Sequence, residues 1–175
     1  SFFTRRSVTE EMMRRIPVSL ELGMGALLIS VFFSVPIGLM SAARQDSLPD
    51  YAARGGAIMF YALPGFWIAT LVLIYGSKWF SWAPQIEYES PWADPVANFK
   101  QVIIPMLILG LSPIGVQIRL VRTQVLEVIR QDYVRTARAK GLNTTAVYFR
   151  HVLRNALLPF VTVLGLALPG VVGGT

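Results

Sequence analysis

Four stretches of the chain carry no Asp, Glu, Lys or Arg: Leu22–Ala43, Gly55–Ser77, Val102–Ile118 and Asn155–Thr175, of 22, 23, 17 and 21 residues. A bilayer core about 30 Å thick needs roughly 20 apolar residues at a helical rise of about 1.5 Å each. Three of the runs meet that length outright, and the third along the chain sits at the short end of the range. One such run alone would fit a buried helix of a large soluble protein. Four of them in 175 residues leave no polar layer to enclose them. The runs are continuous and lack the period-2 alternation of a barrel strand, so they predict membrane helices. The expected architecture is an all-α polytopic transmembrane helix bundle, a single membrane domain over residues 1–175. Its spans are expected at approximately 20–43, 55–77, 102–118 and 155–175. Pro36, Pro64, Pro105, Pro113, Pro159 and Pro169 fall inside them, as membrane helices tolerate. Gly23, Gly25, Ala26, Gly38, Gly110 and Gly115 would let helices approach closely.

Composition agrees: 54% of the residues are hydrophobic and 15% charged, against about 25% charged in ordinary soluble domains. The net charge of +6 fits nucleic acid, anionic lipid or an acidic partner, and its placement decides which. Eight of the 16 Lys and Arg lie between Arg119 and Arg154, beside only two acids, Glu127 and Asp132. The positive-inside bias puts residues 119–154 in the cytosol. Alternation then places Arg44–Arg54 inside and an extracytoplasmic loop at 78–101, with Trp79, Trp82 and Trp92 suited to an interfacial belt. Arg5, Arg6, Arg14 and Arg15, partly offset by Glu10 and Glu11, vote the other way, and the longer loop outweighs them. There is no cysteine, hence no disulfide or thiolate metal site. The chain begins with Ser1 and stops at Thr175 inside an apolar run, and reads as a piece cut at both ends.

Residues 119–154 are too patterned for a mere connector. Val125, Ile129, Tyr133 and Ala137 recur every four residues, which predicts one narrow helical stripe with Arg130, Arg135, Arg138 and Lys140 largely off it. Gly141 supplies a left-handed stop, with Leu142 placed for the hydrophobic contact that accompanies such caps. Asn143, Thr144 and Thr145 offer an N-cap to a second helix through Val147, Tyr148, His151 and Val152, merging into the last span. A helix, glycine turn and helix make a knob that a partner could grip. The basic residues alone fit attraction to anionic lipid equally well. Nucleic acid is disfavoured by the tether at the membrane and the few aromatic stacking residues. His151 has no carboxylate or thiol at ligand spacing, so no metal site is expected.

The run Tyr133-Val134-Arg135-Thr136-Ala137-Arg138-Ala139-Lys140-Gly141-Leu142, followed by Arg150-His151-Val152-Leu153-Arg154-Asn155-Ala156-Leu157-Leu158-Pro159, resembles the EAA loop of ABC-importer permeases. More narrowly it is similar to the dipeptide/oligopeptide/nickel permease family, and most to its oligopeptide-type first permease. The similarity extends over nearly the whole chain, including Arg14-Arg15-Ile16-Pro17-Val18-Ser19-Leu20-Glu21-Leu22. Two departures from the general pattern both match this subfamily. Arg135 and Thr136 stand where the Glu and first Ala of the motif would be, and the spacing from Gly141 to Pro159 exceeds that of sugar or phosphate permeases.

The resemblance implies a type I ABC-importer permease fold and a mechanical role. Arg135, Thr136, Ala137, Arg138, Ala139, Lys140, Gly141 and Leu142 would form a coupling helix seated in a cytosolic ATPase subunit. Arg154, Asn155 and Pro159 would link it to the following span. Implied partners are a second permease, alike or paralogous, a pair of ABC ATPases holding ATP and Mg, an extracytoplasmic solute-binding protein, and the lipid of a bacterial inner membrane. Peptides are the first substrate class implied; nickel complexes, glutathione and oligosaccharides are alternatives.

Several absences narrow the choice. No Gly-x-x-x-x-Gly-Lys-Ser/Thr occurs, so this chain hydrolyses no ATP through a P-loop, and no cofactor is expected on it. The charge-free runs hold no ionisable relay, which disfavours an ion-coupled carrier or channel, the second reading. A membrane scaffold is the third. No nucleophile–base–acid arrangement or carboxylate pair suggests an enzyme. Ser30, Ser34, Ser112 and Gln117 either line a water-filled path or bond across helices.

Overall fold

The computed structural model describes residues 8–85 and 87–173. Arg5, Arg6 and the last two residues of the fourth apolar run lie outside them, as do the side chains of Glu10, Glu11 and Arg14. The described residues form helices and connecting turns, with no strand among them: α1 (Val8–Ala43), α2 (Leu48–Ala62), α3 (Gly65–Phe80), α4 (Pro95–Ile129), α5 (Asp132–Ala139), α6 (Thr144–Ala146), a π-helical turn (Val147–Val152) and α7 (Leu153–Gly173). Three continuous stretches, Arg15–Ala43, Pro95–Ile129 and Thr144–Gly170, are long and apolar enough to cross a bilayer. The α2–α3 pair supplies a fourth if its halves act as one broken span. Large apolar side chains such as Phe32, Leu158 and Leu166 stand on the surface, as lipid-facing helices require. The chain is an all-α, multi-pass membrane protein.

The helix ends have local causes. α2 starts after Ser47, with Pro49 and Asp50 in its first turn. It ends where Leu63, extended at φ −83° and ψ 121°, precedes Pro64, whose ring disfavours helical backbone before it. The apolar run expected as one span over 55–77 therefore lies across a break. α4 starts where Asp94 Oδ1 accepts from the Val96 and Ala97 N–H groups, both at 3.0 Å, with Pro95 as the first helical residue. Its other end is Ile129, so Arg119–Ile129, expected in the cytosolic loop, continue the helix.

The described residues fall into two compact units, one built from residues 8–29, 65–85, 87–110 and 167–173, the other from Ser30–Pro64 and Leu111–Leu166. In the first, a Cβ on Gly110 would lie 3.0 Å from the Ala26 carbonyl oxygen, so α1 and α4 touch there through backbone. The segment before α4 is stitched down by polar groups. Asn98 Nδ2 donates to Glu89 O at 2.9 Å, Gln101 Nε2 to Glu87 O at 2.6 Å, and the Tyr88 hydroxyl to the Glu21 carboxylate. Desolvation first, and Glu21 second, push the Tyr88 phenol up to about 12, so it remains a donor through the physiological range.

In the second unit, Ser34 Oγ donates to Gln117 Oε1 at 2.9 Å and Gln117 Nε2 to Ser30 Oγ at 3.1 Å, all three residues buried. These groups bond across α1 and α4, and Ser112 is exposed. One turn on, Gly38 abuts Val121, so the contacts advance together and the two helices run parallel. α2 packs antiparallel on α4: Asp50 meets Arg122, and Ala57 meets Gly115. A Cβ on Gly115 would lie 2.3 Å from the Ala57 carbonyl oxygen, a backbone atom that cannot yield alone. In the first unit, a Cβ on Gly25 would meet only the Met106 side chain, its sulfur also at 2.3 Å, which can swing aside. Gly115→Ala should therefore lower stability by about 1–3 kcal/mol, as overpacking does, and Gly25→Ala by distinctly less. Thermal unfolding of the two variants in detergent checks the order.

Candidate functional site

The expected stripe Val125–Ile129–Tyr133–Ala137 is not one helix. α4 closes at Ile129 with short-range bonds, Arg130 N–H to Glu127 O at 3.3 Å and Gln131 N–H to Val128 O at 3.1 Å. α5 restarts at Asp132 with a new register. The buried positions are Val121 and Val125 on α4, then Val134 and Ala137 on α5, while Tyr133 is exposed. Val147 and Val152 in the π turn, with Ala156 and Phe160 on α7, complete the same core. In an α-helix, residues five apart point about 140° away from each other. The wider π turn brings Val147 and Val152 to one side.

Of the residues implied by the resemblance, Ala137 alone faces this core. Arg135, Thr136, Arg138, Ala139, Lys140, Gly141 and Leu142 are exposed. Asp132 in the first turn of α5 and Arg138 in the last complement the helix dipole. The exposed Arg135–Asp132 contact at 3.6 Å fixes little. Gly141 has φ +81°; its N–H donates to Arg138 O at 3.0 Å, and the Leu142 N–H to Ala137 O at 3.4 Å. That pair of bonds is a Schellman cap. Asn143 Oδ1 then accepts from the Ala146 N–H at 2.7 Å and starts the next helix. Arg154, Asn155 and Pro159 are exposed on α7. Asn155 Nδ2 donates to the Tyr133 hydroxyl at 3.1 Å and to His151 O at 2.8 Å, tying α7 back to α5. The result is a short cationic helix, exposed outward and packed inward on the elements leading to α4 and α7.

The second unit also holds a cluster that the sequence pattern does not reveal. Asp50 is fully buried, and both carboxylate oxygens meet Arg122: Nε to Oδ1 and Nη2 to Oδ2, each at 2.8 Å. Ser41 Oγ donates to Oδ1 at 2.5 Å and the Asp46 N–H to Oδ2 at 3.0 Å, and Arg54 Nε lies 3.6 Å from Oδ1. Asp46 itself has φ +60°, a left-handed conformation that Asp adopts more readily than most residues. Ser47 followed by Pro49 and Asp50 marks a helix start in the sequence, but Ser47 forms no side-chain cap, and Asp50 reaches back to the Asp46 N–H. The partner 72 residues away was not readable there.

Residues 34–175 match the family of binding-protein-dependent transport system inner membrane components. The chain belongs to that family. It is 35% identical over 97% of its length to the dipeptide transport system permease protein DppB of Bacillus subtilis (strain 168), covering 52% of that protein. It is 34% identical over 96% of its length to the oligopeptide transport system permease protein AppB of the same organism, covering 54%. With the dipeptide permease DppB of Escherichia coli (strain K12) the identity is 32%, over 99% of this chain and 58% of the relative. The chain thus spans about half the length of these curated relatives.

The cap gives a direct test of the elbow. A Cβ at Gly141 meets open space, so the cost of substitution there is conformational. Gly141→Val should destabilise the α5 end by about 1–2 kcal/mol, the cost of the left-handed region, and Gly141→Asn by less. Amide hydrogen exchange over residues 132–146 should rise in that order.

Proposed function

We propose that this chain is part of the transmembrane permease subunit of an ATP-driven importer of di- and oligopeptides in a bacterial inner membrane. The carrying observation is the two-sided α5. Its outer face presents Arg135 and Arg138, with Lys140 at its C-cap, and its inner face buries Val134 and Ala137 in a core shared with α4 and α7. A load applied to the outer face of such a helix passes into the membrane segments rather than dissipating in a loose loop. The Arg side chains suit charge-assisted hydrogen bonds to carboxylates and backbone carbonyls of an ATPase groove. The peptide substrate class rests on what the relatives are named for.

Three further partners belong to this reading: a second permease subunit, a pair of ATPases that bind ATP and Mg, and a solute-binding protein on the outer side. The chain contributes the pathway and the docking helix, and the ATPases do the hydrolysis. Arg154, Asn155 and Pro159 carry movement of the elbow into α7.

In the full-length protein, Arg135→Glu combined with Arg138→Glu should reduce labelled dipeptide uptake at least about tenfold, as reversal of interface charge does. Membrane insertion should persist. A cysteine replacing Arg138 should cross-link to the ATPase, with a clean background in a segment that has no cysteine of its own. Normal uptake by the double variant, together with no cross-link, would reject docking at α5.

A further inference from the structure

We propose that the Asp50–Arg122 pair is a positioning joint that makes α2 follow α4 when the α5 elbow is displaced. The inference rests on the transporter reading above and adds to it the route by which movement reaches the second apolar segment. Arg122 follows Val121, whose side chain belongs to the same core as Val134 and Ala137 of α5. Motion of α5 therefore acts on α4 one residue from the guanidinium. On the other side, the Asp50 carboxylate collects donors from the end of α1 (Ser41), the α1–α2 turn (Asp46 N–H) and α4 (Arg122). Both Arg122 bonds are at 2.8 Å and share one plane of recognition, so sliding α4 past α2 breaks them together.

Two features argue that the pair serves geometry more than cohesion. Well-packed apolar residues commonly hold a buried site as firmly as an ion pair does, and what charge adds is a fixed register. The register is specified twice here, by the ion pair at one end of the α2–α4 contact and by the Gly115–Ala57 backbone approach at the other. The carboxylate also holds the Asp46 N–H, so the left-handed turn at Asp46 is set by the same group.

The test uses the full-length permease, assembled with its ATPase and solute-binding partners in vesicles, reading peptide transported per ATP hydrolysed. The double variant Asp50→Asn/Arg122→Gln removes both charges of the bidentate pair and leaves only the part-exposed Arg54 without its carboxylate neighbour, so insertion should persist. A purely cohesive role predicts an unaltered ratio. The joint predicts a fall of at least about tenfold, the factor that goes with losing one charge-assisted hydrogen bond. Arg122→Lys, which keeps the charge and loses the two-point grip, should lower the ratio in the same direction. A wild-type ratio in either assembled variant overturns the joint. Failure of both to assemble also overturns it, because the pair would then be a structural pin. Wild-type uptake that needs no ATP would instead defeat the transporter reading itself.

Discussion

One apolar core underlies the arrangement, shared by Val121 and Val125 of α4, Val134 and Ala137 of α5, Val147 and Val152 of the π turn, and Ala156 and Phe160 of α7. Without it, α5 would be a cationic helix on flexible tethers, able to bind a partner but not to convey its movement. Most apolar surface of the long helices faces outward, where lipid is as good a neighbour as another side chain. Tight burial is therefore informative in this chain. It concentrates where a short amphipathic helix must be held against two membrane segments.

Polar groups serve a separate purpose. Gln117, Ser30, Ser34, Asp50 and Ser41 are buried and bond to partners on other helices, Asp50 to a part-buried Arg122. Each choice of partner fixes a rotation and a register, which close-packed apolar residues alone do loosely. Removing one member of the ion pair would leave a buried charge, at a cost of about 3–5 kcal/mol. The close approaches at Gly38 and Gly115 set the separations at which those polar bonds can form. Small residues and polar pairs thus do together what a soluble protein leaves to its core.

Much of the helical content was legible, because four charge-free runs admit no other economical reading. The Schellman stop at Gly141 and the Asn143 cap were also legible, being local chemistry. Boundaries were not. Arg119 and Arg122 look like the start of a loop, yet α4 continues past them, since Arg122 finds its counter-charge on a distant helix. Proline gave a mixed signal: Pro36, Pro105, Pro113 and Pro159 sit within helices, while Pro64 ends one beside an extended Leu63. The stripe through Tyr133 failed because a turn at Arg130–Gln131 resets the helical phase. The π turn had a trace in the sequence, the spacing of five then four between Val147, Val152 and Ala156.

The proposed coupling requires α5 and the end of α4 to move as one piece under load. Spin labels on the exposed positions Lys140 and Arg119, in the assembled full-length transporter, measure it directly. Their separation should stay constant between nucleotide-free and ATP-bound states, while the distance from Lys140 to its counterpart on the second permease changes. A nucleotide-dependent change in the Lys140–Arg119 distance itself would show α5 swinging free of α4, and would rule out coupling through their shared core.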